Sequence, residues 1–437
     1  MEVSLTGATS ATRSSSAARR VLGAGAVGHF VEFYDFAIYG FSVVTIAKLF
    51  FPAGDPVVGI LAAFAVYGVA FVVRPLGGVF FGALGDRIGR RKVLALTLLS
   101  IGGATALIGL LPSYEQIGIL APVLLLLCRL VQGFSAGGEA VGAPSFVLEH
   151  APRDRRALWI GITTAMSAVP SIVAGIFILG LTTAMSAEDY ASWGWRIPFL
   201  VAAPLSLVGL YIRRKTEESE AFKQAVSRPG AKESSPLRET FLRNRLRMTQ
   251  VFFIMSLNAL TFYFLVGYFV TYLQTVAKLS QADALLSNAA GLLTFSLLLP
   301  LAGRISDTVG RKPMLLAGAL CVALVSLPAF WLLTSGTLAN AVSAQILLAA
   351  ALSLYGGGSY TFFVELFPTS TRFTGAAISY NASYALFGGT APFVGTFLVR
   401  ETGNSAAPGY YLAAIAVCVF LIALTVPETA RRDLGPE

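Results

Sequence analysis

Residues 82–91, GALGDRIGRR, return in altered form as residues 303–312, GRISDTVGRK, which lie 221 positions later in a chain of 437 residues. A second pattern, Glu-x-x-Pro-x-x-x-Arg, runs from Glu149 to Arg156 and again from Glu365 to Arg372, an offset of 216 positions. Two motifs repeated at nearly the same spacing, about half the chain, indicate two duplicated halves.

The composition indicates a membrane protein. Hydrophobic residues make up 55% of the chain and charged residues 13%, and the mean hydropathy is +0.72. A soluble domain carries about 25% charged residues, whereas roughly 240 apolar residues suffice for about twelve segments of the length that crosses a bilayer. We therefore predict an all-α membrane protein with twelve transmembrane helices, which excludes a soluble enzyme.

Apolar runs define the predicted spans. They cover 26–50, 57–83, 93–112, 118–147, 157–184, 195–212, 248–276, 284–302, 313–334, 340–365, 372–399 and 409–427. Residues 213–247 are the one long polar interruption, with ten basic and five acidic residues. The predicted organisation is a tail over 1–25, a six-helix half over 26–212, a linker over 213–247, a second six-helix half over 248–427 and a tail over 428–437.

The net charge of +9 indicates how the chain is oriented in the membrane rather than nucleic-acid binding, because 26 of the 32 basic residues fall in the tails and loops of one side. The positive-inside rule places that side, with both termini, in the cytoplasm. We expect a multi-pass protein of a bacterial plasma membrane. The three cysteines lie far apart in apolar stretches, so we expect neither a disulfide framework nor a metal site.

Ionisable residues inside spans are expensive and point to function. His29, Glu32 and Asp35 lie three apart in span 1 and share one helix face. A carboxylate in a low-dielectric cavity has a raised pKa that an approaching cation lowers, so it can load and release a proton. We predict Asp35 and Glu32 as proton-coupling residues and His29 as a substrate contact; the alternative is a polar stripe that lines water.

Span 4 carries Arg129 near the membrane midplane, with Gln132 on the same face. A guanidinium there must be paired, and we predict that Arg129 takes part in proton coupling and in binding an anion together with Gln132. A purely structural ion pair with Glu139 or Asp35 is the alternative. For Arg74 in span 2, anion binding competes with a packing role.

The second half offers neutral polar and aromatic groups in place of charges. These residues are either substrate contacts or packing, and they are Asn258, Tyr268 and Tyr272 on span 7 and Tyr380, Asn381 and Tyr384 on span 11. The asymmetry predicts ion coupling in the first half and hydrogen-bonding or aromatic substrate contacts in the second.

The loop motif at 82–91, its degenerate repeat, the twelve spans and the central linker resemble the major facilitator superfamily. Within it, the chain resembles the metabolite:proton symporter family. The stretches that carry this resemblance are 32–36 (EFYDF), 129–139 (RLVQGFSAGGE), 193–199 (WGWRIPF) and 387–392 (FGGTAP). His29 departs from the pattern, since such relatives often have Asn there.

The resemblance implies two six-helix bundles that alternate access to a central site. It also implies that Asp35 pairs with Arg129, and that protonation of Asp35 frees Arg129 for a substrate carboxylate. Finally, it implies charge clusters that close the cytoplasmic face, formed by Asp86, Arg90, Arg91, Glu149 and Arg156 in one half and by Asp307, Arg311, Lys312, Glu365 and Arg372 in the other.

We therefore predict proton-coupled uptake of a small organic acid by a monomer that needs no cofactor. The alternatives are proton-coupled export of a metabolite and symport of a compatible solute such as proline or betaine. Relatives that sense osmolality carry a long C-terminal coiled coil, whereas about ten residues follow the last span here, so we expect the compatible-solute class less. An enzyme is not expected, because no Ser/His/Asp set or phosphate loop is present.

Overall fold

The computed structural model describes residues 30–52, 54–88, 90–137, 148, 151–214, 244–367 and 372–430. Three of the residues discussed above, His29, Glu139 and Glu149, fall outside these ranges, as does most of the predicted linker. So do the side chains of Asp86, Arg90, Arg91 and Arg372. Within the described part the chain is helical, and no β-strand occurs there.

Twelve apolar helical units correspond to the twelve predicted spans. Eight described helices are long and apolar enough to cross a membrane, two bent helix pairs raise the number to ten, and two shorter apolar helices complete the set. In chain order the spans are Phe30–Phe41 with Val43–Phe50, Pro56–Ile88, Arg90–Leu110, Leu120–Ala136, Arg156–Ala184, Arg196–Arg214, Arg245–Thr275, Gln281–Val309, Arg311–Thr334, Leu338–Glu365, Thr374–Thr402 and Ala407–Thr425.

Spans 2 and 8 run further than their hydropathy predicts. Span 8 was expected to end near residue 302, but it continues to Val309 and stops where Gly310 takes φ = +114°. Asp307 therefore lies in the last turn of a helix rather than in a loop. Asp307 is tolerated there because Arg311 pairs with it at 3.0 Å, with both side chains buried.

Spans 1, 7 and 11 are not continuous α-helices. Span 1 bends by 66° between its two helices. Spans 7 and 11 contain π-helical turns at Phe264–Tyr268 and Tyr384–Gly388. In span 7 the side-chain amide of Asn288 donates to the Leu265 carbonyl at 2.6 Å, so a helix neighbour satisfies a backbone group that the π turn displaces.

The two halves touch at both ends of the molecule. We call the end that holds residues 151–156, 306–312 and 426–430 the basic end. There Gly303 of span 8 lies against Ala157 of span 5, so closely that a Cβ would come within 2.3 Å of a backbone oxygen. Towards the opposite end Gly68 of span 2 lies against Gly389 of span 11, where a Cβ would come within 2.8 Å of the Gly389 carbonyl oxygen. At that end itself Arg400 of span 11 pairs with Asp55 at 3.2 Å.

We predict that Gly68→Leu impairs transport by preventing closure at the opposite end. A Cβ at this position would lie 2.8 Å from the Gly389 carbonyl oxygen, and overpacking of about 1–3 kcal/mol lowers the closed population by about tenfold or more. Initial uptake rates in proteoliposomes should fall accordingly, while substrate binding in detergent persists. Gly103→Leu is the matched control, since a Cβ there meets nothing within 4 Å; wild-type uptake by Gly68→Leu would contradict the closure.

Candidate functional site

Two buried guanidinium groups flank one ring of span 1. The Cζ atoms of Arg74 and Arg129 each lie 4.9 Å from the ring centre of Phe36. Spans 2 and 4, which carry them, approach closely because Gly133 lies against Ala70, where a Cβ would come within 2.0 Å of the carbonyl oxygen. Both arginines are at most 5% exposed, so each needs a counter-charge.

Asp35 neutralises Arg129 inside the first half. Arg129 Nη1 donates to Asp35 Oδ2 at 3.1 Å, and the hydroxyl of Thr105 donates to Asp35 Oδ1 at 2.8 Å. Gln132 donates its amide to Asp35 and accepts from Arg129 at 3.0 Å. The carboxylate therefore has donors on both oxygens, and span 3 supplies one of them through Thr105.

Glu32 pairs with the other arginine, since Arg74 Nη2 donates to Glu32 Oε1. This pair differs from the first in its surroundings. The guanidinium lies over the rings of Phe36 and Phe71, and Phe71 contacts Tyr263 of span 7 with ring centres 4.8 Å apart. Arg74 thus lies near the second half, whereas Arg129 donates its hydrogen bonds to Asp35 and Gln132 of the first.

The sequence analysis named Arg74 and Glu32 separately and did not pair them, and it did not name Thr105 at all. A signal for the pair was available. Arg74 is the one charged residue in the predicted span 57–83, and such a cation usually pairs with a carboxylate on another helix, for which span 1 offers Glu32 and Asp35. Thr105 carries no comparable signal, because a threonine in a span most often bonds its own helix; this one also points at the Ile101 carbonyl.

The candidates of the second half fall into separate groups. Asn258 donates to Ser359 of span 10 at 2.6 Å. Tyr380 and Tyr384 stack on each other with ring centres 4.0 Å apart, and the adjacent Asn381 donates to the Ala377 carbonyl. These residues lie on the helices that face the first half.

Tyr268 and Tyr272 lie nearer the opposite end. Tyr268 packs against Phe64, ten residues and about 15 Å along span 2 from Arg74. The hydroxyl of Tyr272 donates to the Ser405 carbonyl at 2.7 Å, in the turn between spans 11 and 12. The π turn at Phe264–Tyr268 rotates the later part of span 7, so these tyrosines do not continue the face that begins at Asn258.

Three of the predicted gate residues of the second half form a buried cluster at the basic end. Arg311 donates to Asp307 at 3.0 Å and to Glu365 at 3.1 Å, and all three side chains are at most 2% exposed. Asp307 also accepts from the backbone N–H groups of Ala157 and Leu158 at 2.9 and 3.0 Å. One carboxylate therefore completes the cluster of its own half and caps span 5 of the other, next to the gate candidate Arg156.

Residues after span 12 extend the same cluster. The Glu428 carboxylate accepts from the backbone N–H groups of Arg311 and Lys312 at 2.9 and 3.0 Å and so caps span 9. Thr429 donates to Glu365 at 2.8 Å. Partial burial alone raises the pKa of Glu428, but the backbone donors outweigh it and hold the pKa below its usual range. The cap therefore stays ionised at neutral pH and weakens only as the pH falls through that lowered pKa.

These features define a membrane carrier: two helical bundles close on each other at both ends around buried charge pairs. The sequence profile of the Major Facilitator Superfamily matches residues 25–382. The proline/betaine transporter of Escherichia coli K12 is 36% identical over 427 residues, which cover 95% of this chain and 85% of that protein. The glycine betaine/proline/ectoine/pipecolic acid transporter OusA of Dickeya dadantii is 37% identical over 426 residues, with coverages of 95% and 84%.

Solved structures agree on the fold. The proton:xylose symporter XylE, bound to 6-bromo-6-deoxy-D-glucose, superposes with a TM-score of 0.75 at 16% identity and covers 97% of this chain and 98% of its own. A partially occluded inward-open form of XylE from E. coli gives a TM-score of 0.76 at 16% identity, with coverages of 95% and 99%. The chain belongs to the Major Facilitator Superfamily. It is a multi-pass membrane transport protein.

We predict that Asp307→Asn weakens closure at the basic end. An amide retains one acceptor but loses the charge that both Arg311 and the N-terminus of span 5 face, which costs about 1.5–3 kcal/mol for charge-assisted bonds. A single cysteine at the buried Ala165, in an otherwise cysteine-free protein, should then be alkylated from the basic side about tenfold faster. Asp283→Asn, an exposed aspartate at the opposite end, is the control. An unchanged alkylation rate in Asp307→Asn would refute the role of Asp307 in closing the basic end.

Proposed function

We propose that this transporter takes up small zwitterionic solutes of the proline and betaine class together with protons. The observation that carries the proposal is the buried Arg74–Glu32 pair, which offers one cation and one anion side by side at the boundary with the second half. The relatives named above add support, because the solutes in their names combine a carboxylate with a cationic nitrogen.

The organic-acid prediction therefore gives way to its compatible-solute alternative. The organic-acid prediction relied on Arg129, which protonation of Asp35 was expected to free for a substrate carboxylate, and on the short C-terminal segment, which counted against proline and betaine. The expected ion pair between Arg129 and Asp35 is present, but it occupies the guanidinium that was to bind the anion. Relatives that match 95% of this chain are named for proline and betaine, which favours the compatible-solute class.

Charge balance explains why a zwitterion suits this site. Each buried arginine already has one carboxylate, so the two pairs carry no net charge. A zwitterion that places its carboxylate on Arg74 and its ammonium on Glu32 replaces one ion pair by two and leaves the total unchanged. A dicarboxylate would leave negative charge without a partner in a low-dielectric interior, which is costly.

The second pair then serves the proton. Asp35 is held by Arg129, Thr105 and Gln132, so a proton on Asp35 breaks the ion pair with Arg129 and changes the packing of spans 1, 3 and 4 together. Asp35 and Arg129 are enclosed within the first half, so this protonation step is separate from solute binding on Arg74. We propose that the carrier works as a monomer with both termini cytoplasmic, as the distribution of basic residues favours, and that it performs no catalysis.

The class of solute is tested by purified protein in liposomes that contain a pH-sensitive dye. We expect inward proton movement on addition of proline or glycine betaine under an imposed substrate gradient, and none with citrate, 2-oxoglutarate or shikimate. Protein-free liposomes and liposomes with a protonophore are the controls. Proton entry with a di- or tricarboxylate alone would restore the organic-acid reading and overturn the proposal.

The two arginine–carboxylate pairs should be separable by mutation. Asp35→Asn should abolish proton-driven accumulation and leave exchange of preloaded solute, because it removes the titratable group and keeps a hydrogen-bond acceptor for Arg129. Arg74→Ala should reduce solute binding by about 100-fold, since it removes the carboxylate partner and strands Glu32. Lys48→Gln, an exposed cation at the end of span 1, is the control. Accumulation by Asp35→Asn, or wild-type binding by Arg74→Ala, would reverse the assignment.

A further inference from the structure

Three tyrosines of the second half lie beside the Arg74–Glu32 pair. Tyr263 comes from span 7, and Tyr380 and Tyr384 come from span 11. Tyr263 stands at right angles to Tyr384, with ring centres 6.1 Å apart, and Tyr384 stacks on Tyr380 with ring centres 4.0 Å apart. We call these three residues the tyrosine cluster.

The cluster lies within reach of the cation of the first half. The Arg74 guanidinium rests on aromatic faces, 4.9 Å from the centre of Phe36 and 5.0 Å from that of Phe71. Phe71 in turn meets Tyr263 at 90° with ring centres 4.8 Å apart. Aromatic rings thus continue from the cation-bearing first half to the tyrosine cluster without a break.

The chemistry of methylated ammonium groups makes this continuity informative. A trimethylammonium group has no N–H, so it cannot satisfy hydrogen-bond acceptors, and its attraction to a protein comes from aromatic faces and nearby negative charge. In glycine betaine one carbon separates the carboxylate from the ammonium. A carboxylate held on Arg74 therefore places the ammonium only a few ångströms away, within reach of Tyr263, which packs against Phe71 and leads to Tyr384 and Tyr380.

We propose that the ring faces of Tyr263, Tyr380 and Tyr384 hold the methylated ammonium group of betaine-like substrates, with Glu32 as the opposing charge. The proposal rests on the proposed uptake of zwitterionic solutes and names the groups that bind the cationic end of the solute. It also separates two kinds of substrate. Proline retains N–H groups that can donate to Glu32 or to a tyrosine hydroxyl, so its binding depends less on the ring faces.

A chemical probe tests the attraction without changing the protein. In 3,3-dimethylbutanoate a tert-butyl group replaces the trimethylammonium of glycine betaine with almost the same shape and no positive charge. We expect the purified wild-type protein to bind glycine betaine at least about 30-fold more tightly than this isostere. Equal affinity for the two would show that shape and the carboxylate suffice, and would overturn the role of the rings.

Variants test whether the tyrosine cluster attracts the ammonium group. Tyr384→Phe keeps the ring face and should leave glycine betaine affinity within about threefold, whereas Tyr384→Leu should weaken it by about 30-fold and weaken proline binding far less. Tyr410→Leu, at an exposed tyrosine of span 12, is the matched control for the same chemical change. Proline serves as the internal test of folding, because a misfolded variant loses both solutes.

The outcomes distinguish the aromatic ammonium site from the proposed uptake of zwitterionic solutes on which it rests. If wild-type protein binds neither proline nor glycine betaine, the proposed function fails. If it binds both, and Tyr384→Leu weakens the two equally or Tyr384→Phe is as damaging as Tyr384→Leu, the zwitterion carrier stands and the aromatic ammonium site is refuted. Selective loss of glycine betaine in Tyr384→Leu supports the site.

Discussion

A guanidinium inside a hydrocarbon layer must be neutralised, and here one helix neutralises two of them. Glu32 and Asp35 lie one turn apart on span 1 and reach in different directions, to Arg74 on span 2 and to Arg129 on span 4. Phe36 separates the two guanidinium groups. The position of span 1 is therefore fixed by two ion pairs whose loss would each cost several kcal/mol, and spans 2, 3 and 4 pack around it.

This arrangement gives the two halves different tasks. The first half holds the buried charges named above, and the facing surface of the second presents amide, hydroxyl and aromatic groups such as Asn258 and Tyr384. At the basic end the roles reverse, because the described ionic cluster belongs to the second half through Arg311 and Glu365, with Asp307 extending to the first. The buried arginine–carboxylate pairs of span 1 and the described ionic cluster of the basic end thus lie mainly in different halves.

Much of the fold was predictable because hydropathy and length dominate membrane insertion. The predicted spans agree with the observed helices to within a few residues, apart from the ends of spans 2 and 8, where charged residues such as Asp307 stay helical beyond the apolar run. Span 4 was predicted to end at 147, but its described helix ends at Ala136, and residues 138–147 lie outside the described part. The family resemblance already paired Asp35 with Arg129. The Arg74–Glu32 pair was missed because periodicity places residues on faces but does not show which helices are neighbours, and Thr105 was missed because only the packing of span 3 makes it a donor to Asp35.

The hydrogen bonds between Asp307 and the start of span 5 connect the two copies of the repeat. Asp307 stands in the later copy of the repeated motif, and the backbone that it caps, at Ala157 and Leu158, belongs to the earlier half. The sequence near 307 and the backbone at 157 and 158 therefore depend on each other. We expect insertions or proline substitutions at 157 and 158 to be tolerated only with compensating change near 307, a dependence that joins positions about 150 residues apart.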